Sequence, residues 1–261
     1  MTVLELDDID LYYETRGDGE PLLLIHGLGS STRDWEHQVE YFARHYQVIV
    51  FDARGHGRSG KPPGPYSMAL FATDVARLLQ ALDAHPAHVV GISMGGMIAF
   101  ELALNHAELA KSLVIVNSGP EFVVDSFKQR LQVWQRFLIL RLLGMRKIGQ
   151  VLGQRLFPKA EQAPLRSVFV ERWATNDPGA YREAMRAIIG WSVADRIADI
   201  DCPTLVLASD QDYTPLADKQ AWAERMANAE LVVIDDARHA LPMEKPEAFN
   251  AAVETFLAQQ G

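Results

Sequence analysis

The chain holds one cysteine, Cys202, so no intramolecular disulfide can brace it. That residue precedes Pro203 and an apolar run, the setting of a buried structural thiol rather than a reactive one. Long apolar runs are also missing, and none approaches the ~20 residues that a membrane span needs. Positive charge is scarce: 25 Lys and Arg stand against 34 Asp and Glu, a net charge of −9, which argues against general nucleic-acid binding. The opening "MTVLELDDID" has neither a basic region nor a long apolar stretch. No signal peptide is therefore expected, and the cytoplasm is the expected location. Histidines and carboxylates fall into no H-E-x-x-H or similar spacing, so neither a catalytic metal nor another cofactor is expected. Internal repeats and low-complexity segments are absent.

What remains is an ordinary enzyme-sized chain. Its 261 residues, 48% of them hydrophobic, suit one large α/β domain, or one domain carrying an insertion. Apolar runs and helical patterns alternate through the first half. Leu11–Thr15, Leu22–His26, Val48–Phe51, His88–Ile92 and Leu113–Asn117 read as strands. Helical spacing runs over Trp35–Ala43, Met68–Leu82 and Met97–Ala103. From about Phe122 to Trp191 no strand pattern appears, only helical segments rich in Leu, Phe, Trp and Arg. The alternation then resumes with Thr204–Ala208, a helix from about Leu216, Leu231–Ile234 and a last helix from Pro246. This pattern predicts a mostly parallel sheet with helices on both faces and a helical block inserted over one end. Ligands bind at the carboxyl ends of parallel strands, which is where such a block would matter.

The stretch "HVVGISMGGMIAFELA" places Ser93 between glycines where a strand becomes a helix. Gly91, Gly95 and Gly96 would let two backbone segments close up around a sharp turn, leaving the Ser93 hydroxyl exposed. A glycine-rich turn can also cradle a phosphate, but at this turn neither G-x-G-x-x-G nor G-x-x-x-x-G-K-[ST] is spelled. The other strand ends lead into "HGLG", "DARGHGRSG", "SDQDYTP" and "DDARHALP". Serine, acid and histidine thus follow one another, each just past a strand of one sheet. A serine hydroxyl needs a base to take its proton, and the base needs an acid to fix its tautomer. Strand position alone leaves Asp210 and Asp212 both open as that acid.

These pieces together resemble the α/β-hydrolase superfamily over nearly the whole chain: "HGLG" at His26–Gly29, "DARGHGRS" at Asp52–Ser59, "GISMGG" at Gly91–Gly96, "SDQD" at Ser209–Asp212 and "RHALPMEKPEAF" at Arg238–Phe249. The resemblance implies an α/β-hydrolase fold, with core at 1–120 and 197–261 and a helical cap at 121–196. It implies Ser93 as nucleophile, His239 as general base and Asp212 as orienting acid. The acid of the family usually stands three residues after a small strand-closing residue, here Ser209. Asp210 would then be a turn or capping residue. Backbone amides of Leu28 and Met94 would form the oxyanion hole. His26 would shape the oxyanion loop, and His56 a structural turn. The implied activity is a serine hydrolase of small-molecule carboxylic esters or lactones, resembling bacterial esterases and enol-lactonases. Hydrolysis of a carbon–carbon bond in a vinylogous diketone is an alternative on the same fold, and a ligand receptor without turnover is another.

The inserted block carries one more clue. From Ser126 to Ala160 stand Lys128, Arg130, Arg136, Arg141, Arg146, Lys147, Arg155 and Lys159, with no acidic residue. Either this segment meets an anionic substrate or lipid surface, or it shows a solvated basic face. Trp134, Phe137, Phe157, Trp173 and Trp191 are the candidates to line a substrate pocket.

Overall fold

The computed structural model describes residues 2–260. In chain order the elements are β1 (Thr2–Leu6), β2 (Ile9–Arg16), β3 (Glu20–Ile25), α1 (Glu36–Phe42), β4 (Tyr46–Phe51), α2 (Met68–Ala81), β5 (Ala87–Ile92), α3 (Met94–Asn105) and β6 (Ala110–Val116). Then follow α4 (Phe127–Leu156), α5 (Ala163–Ala174), α6 (Pro178–Ile188), β7 (Thr204–Ser209), α7 (Leu216–Ala223), β8 (Ala229–Ile234), α8 (Leu241–Glu244) and α9 (Pro246–Leu257). The strands form one eight-stranded sheet in the order β1-β2-β4-β3-β5-β6-β7-β8. β1 and β2 run antiparallel to their neighbours, and from β4 to β8 every pairing is parallel.

The central strands are apolar on both sides because helices cover both faces. Leu22, Leu23, Leu24 and Ile25 of β3 are fully buried. Alternate residues divide between two cores: Leu23 and Ile25 meet α2 and α3, while Leu22 and Leu24 join Trp35, Phe42 and Phe249 beneath α1 and α9. Burying side chains of this kind stabilises the fold by about 1.5–3 kcal/mol each. α2 starts at Ser67, whose hydroxyl accepts from the Leu70 amide at 3.1 Å. Its buried Asp74 receives Nε and Nη2 of Arg54 at 2.8 and 2.7 Å, which fastens the loop after β4 to α2.

Three helices, α4 to α6, fill the connection between β6 and β7, and the only strand-like contact there among the described residues is an isolated bridge between Glu121 and Ser192. They bury a third apolar cluster of their own, built on Leu140, Ile148, Phe157, Phe169, Trp173 and Tyr181. α4 opens with a capping box at Ser126 and Gln129 and is broken at Gly144, whose φ of +72° no helix accommodates.

β1 lies in a segment the sequence pattern leaves without an element. It is a short, mostly exposed edge strand, paired from Thr2↔Tyr13 to Leu6↔Ile9, so no buried face marks it. Cys202 is half-buried, and burial pushes its thiol up to about 11. No helix among the described residues is long and apolar enough to cross a membrane.

Candidate active site

Ser93 stands between β5 and α3 with φ +55° and ψ −118°, a backbone conformation that a non-glycine residue holds only under constraint. The constraint is close packing on both sides of the turn. A Cβ on Gly95 would run into the Ile25 carbonyl, and one on Gly91 into the Gly95 carbonyl. The elbow is pinned by the Ser93 amide donating to Val116 O at 3.0 Å and by Ser118 Oγ donating to Ser93 O at 2.7 Å. Met94 is the first residue of α3, so its amide has no acceptor within the helix.

The loop after β3 passes beside this turn. A Cβ built on Gly27 would lie 3.4 Å from Ser93 Cβ and 4.0 Å from Ser93 Oγ, which puts the Leu28 peptide at the elbow. His26 holds the loop from beneath. Its Nε2 accepts from the Ala53 amide at 2.9 Å and its Nδ1 donates to Gly27 O at 2.8 Å, so the imidazole is neutral with its proton on Nδ1. Burial lowers its pKa, against the opposing pull of Asp52. Asp52 latches two loops, its carboxylate accepting from the amides of Thr32 at 2.8 Å and Arg58 at 2.7 Å. His56 is pushed down to about 3 by burial, with the neighbouring His26 acting in the same direction. Both histidines are loop supports. Residues Gly55–Gly60 also spell G-x-G-x-x-G, but there the Gly55 amide closes on Gly60 O at 3.0 Å. The Asp52 carboxylate sits against Gly57, a charge that repels phosphate.

The loops after β7 and β8 bring the acid and the histidine together. His239 Nδ1 donates to Asp212 Oδ1 at 2.7 Å, and the Asp212 side chain is fully buried. Asp210 instead accepts from the Ala237 amide at 3.0 Å and clips the two loops to each other. The rest of the Asp212 carboxylate is also occupied. Oδ1 accepts from the Tyr213 amide at 2.8 Å, and Oδ2 from Thr214 Oγ1 and Lys219 Nζ, both at 2.6 Å. Burial alone would raise this carboxyl's pKa. The hydrogen bond from His239, the charge that residue carries when protonated, and Lys219 outweigh burial and hold it well below the usual carboxylate range.

Sequence reasoning overlooked three residues here. Asn117, at the end of β6, donates through Nδ2 to Ser209 Oγ at 2.8 Å and to the carbonyls of Arg238 and His239 at 3.2 Å. Its φ of +43° was the only local signal available, and a sequence does not display it. The Tyr213 ring stacks on His239 at 4.0 Å between centroids and 25° between planes, yet stays 62% exposed. Lys219 lies on α7 with its side chain 1% exposed.

The five pocket candidates separate. Trp173 presses its ring against Gly29, so closely that a Cβ there would come within 2.7 Å, and Asn176 Nδ2 donates to Gly29 O at 2.7 Å. Phe157 is wholly buried and stacks edge-on with Phe169 at 5.7 Å, while Phe137, partly buried, packs against the margin of the same cluster, as Leu28 and Met243 also do. The other two turn elsewhere. Trp134 faces outward from α4 at 59% exposure, and Trp191 donates Nε1 to Glu101 Oε1 at 2.7 Å on the side of α3. An indole N–H near the interior needs an acceptor, and for Trp191 that acceptor is a carboxylate of the core. The basic residues of α4 part in the same way. Arg136 turns in, its Nε donating to Tyr181 Oη at 2.6 Å, whereas Arg141 is exposed. Among the described residues no group of three or more His, Cys, Asp and Glu could hold a metal ion.

A glycine-bounded elbow serine, a loop amide beside it, and a histidine bonded to a buried carboxylate lie at one edge of a mostly parallel sheet. Residues 22–252 match the model of the alpha/beta hydrolase family. The chain belongs to that family. A putative carbamate hydrolase RutD of Azorhizobium caulinodans is 34% identical over 97% of this chain and 96% of its own length. The 3-oxoadipate enol-lactonase 2 of Acinetobacter baylyi is 33% identical over 97% of this chain and 95% of its own. Among solved structures, a thermophilic esterase from Thermogutta terrifontis with malate bound superposes with a TM-score of 0.88 at 28% identity, covering 97% of this chain and 94% of that one. This α/β hydrolase is therefore similar, over its full length, to hydrolases of small molecules.

Proposed function

We propose that this α/β hydrolase is a serine hydrolase of small-molecule carboxylic esters or lactones, with residues 121–196 as a cap over its site. The observation that carries the reading is the His239–Asp212 hydrogen bond of 2.7 Å at the sheet edge that also holds the Ser93 elbow. Ser93 Oγ attacks the acyl carbon while His239 Nε2 takes its proton. Asp212 keeps the His239 proton on Nδ1 and balances the imidazolium. The carbonyl electrons move to an oxyanion that the amides of Leu28 and Met94 receive, and losing one such donor costs about 3–4 kcal/mol. His239 returns the proton to the leaving oxygen, leaving an acyl-enzyme; in a lactone that oxygen stays tethered to the acyl group. Water, deprotonated by His239, then releases the acid and restores Ser93.

Arg136 favours an anionic substrate within this class. It is half-buried and bonded to Tyr181; Tyr181 meets Trp173 edge-on, and Trp173 covers the loop of Leu28 and Gly29. A relative named for a 3-oxoadipate enol-lactone and an esterase holding malate lend support. The test is a panel of p-nitrophenyl esters of increasing chain length, enol-lactones with and without a carboxylate, a carbamate and a vinylogous diketone. Intact-mass detection should reveal an acyl adduct with the esters and lactones. Turnover of the diketone alone would instead favour carbon–carbon hydrolysis. Slow turnover of everything, together with strong stabilisation by one ligand, would favour a receptor.

A further inference from the structure

Lysine is almost never buried without a charged partner. Lys219 has a side chain only 1% exposed, on a helix whose neighbouring residues Leu216, Ala217, Asp218 and Gln220 are exposed. Its ammonium has two acceptors, Asp212 Oδ2 at 2.6 Å and Thr214 O at 2.9 Å. An aliphatic side chain would fill the same space without the cost of desolvating a charge. Something must offset that cost, and the one charge it meets belongs to the acid that orients His239.

We propose that Lys219 is a positioning residue of the hydrolytic machinery: it pairs with the buried Asp212 carboxylate so that His239 can rest neutral, in the form that accepts the serine proton. The inference rests on the triad reading above. Before attack, a productive site holds a charged carboxylate and an uncharged imidazole. With only neutral donors around it, a buried carboxylate would hold a proton on His239 more firmly, and a protonated imidazole cannot act as the base. Lys219 supplies a permanent positive charge on the far oxygen. The near oxygen, which also accepts from the Tyr213 amide, holds the Nδ1 proton and faces the imidazolium once it forms.

The groups facing this pair come from several elements. Asp212 feels His239 from the loop after β8 and Lys219 from α7. Thr214 gives Oδ2 a neutral hydrogen bond from the loop after β7, and Tyr213 of that loop covers the His239 ring. Arg136 and Arg155 of α4 reach Tyr213 electrostatically from the insertion. Of these, only Lys219 sets a fixed positive charge directly on the carboxylate.

The experiment is the pH dependence of kcat/KM for a neutral p-nitrophenyl ester, with the labelling rate of a fluorophosphonate probe measured in parallel. Lys219→Met and Lys219→Gln should move the acidic limb of both profiles upward by about one pH unit, a tenfold loss on that limb that shrinks toward high pH. KM should stay near the parent value. Thr214→Val, which removes a neutral donor from the same oxygen, should lower kcat without moving the limb. Equal losses at all pH values in the Lys219 variants, with the limb in place, would reduce Lys219 to a structural pair and overturn the proposal. If neither variant folds, the double variant Asp212→Asn/Lys219→Met removes both charges and should fold, since an isolated buried charge is the defect; its failure would also overturn the proposal. A parent profile unaffected by His239→Ala or Asp212→Asn would instead sink the triad reading.

Discussion

The carboxyl edge of the sheet and the first half of α4 obey opposite rules. At the edge, position is dictated: Gly91 and Gly95 admit no Cβ, Asn117 ties the ends of β6 and β7 to the His239 loop, and all the oxygens of Asp212 are taken. Along α4, Phe127, Leu131, Trp134, Leu138, Leu142 and Leu143 lie exposed, and the helix bends at an unobstructed Gly144. The edge is held by long-range contacts that each exclude alternatives, while the outer face of α4 is held by its own helix and little else. On the proposed reading, the first region would fix the chemistry and the second would leave shape and charge free to set what enters.

Substitutions should sort by this contrast. Asp212→Asn should cost about 10⁴ in kcat, read by steady-state kinetics on protein shown folded by circular dichroism, because the imidazole loses the acceptor that fixes its tautomer; it also leaves the Lys219 ammonium buried without a counter-charge, so it should lower stability in denaturant unfolding. Asp210→Asn should cost far less; the reverse ranking would move the acid. Trp173→Ala should destabilise the chain by about 3–5 kcal/mol in denaturant unfolding, since it opens a hole beneath the insertion and against Gly29. Arg136→Gln should raise KM for a carboxylate-bearing lactone about tenfold and leave that of a neutral ester alone, whereas Arg141→Gln, on the exposed side, should treat both alike. Smallest of all, Trp134→Ser should change stability by no more than about 0.5 kcal/mol.

Acid sharpens the comparison from another direction. The Asp212 carboxyl is depressed in the folded chain relative to its unfolded value of about 3.9. Its stabilisation is therefore present above that value and is lost as pH falls from there toward the folded pKa. Urea unfolding between pH 5 and 2 should show a steep loss in the parent, and a shallower one in Asp212→Asn.

Legibility in the sequence followed the same division. The strands of the sheet could be read because burial on both faces leaves continuous apolar runs, and Ser93 because close backbone approach demands glycines on either side. His239 and Asp212 follow strands in chain order, so topology brings their loops together, but strand position left Asp210 equally open and only the family's spacing after Ser209 singled out Asp212. Asn117, Tyr213 and Lys219 were invisible for the opposite reason. Asn117 has partners 92 and 122 residues away, and nothing local distinguishes a buried lysine from a solvated one on a short helix. The insertion could be read as helical but not for direction: Trp134 and Phe137 stand three residues apart on α4, yet one faces solvent and the other packs against the buried cluster. β1 was missed because an exposed edge strand buries no face.

The central claim is that Ser93 is the nucleophile of an acyl-enzyme, and covalent labelling tests it most directly. Native protein treated with a fluorophosphonate probe should gain a single adduct by intact mass, mapped to Ser93 by peptide sequencing, while Ser93→Ala, folded by circular dichroism, gains none. Labelling of Ser93→Ala as strong as that of the parent would contradict the account.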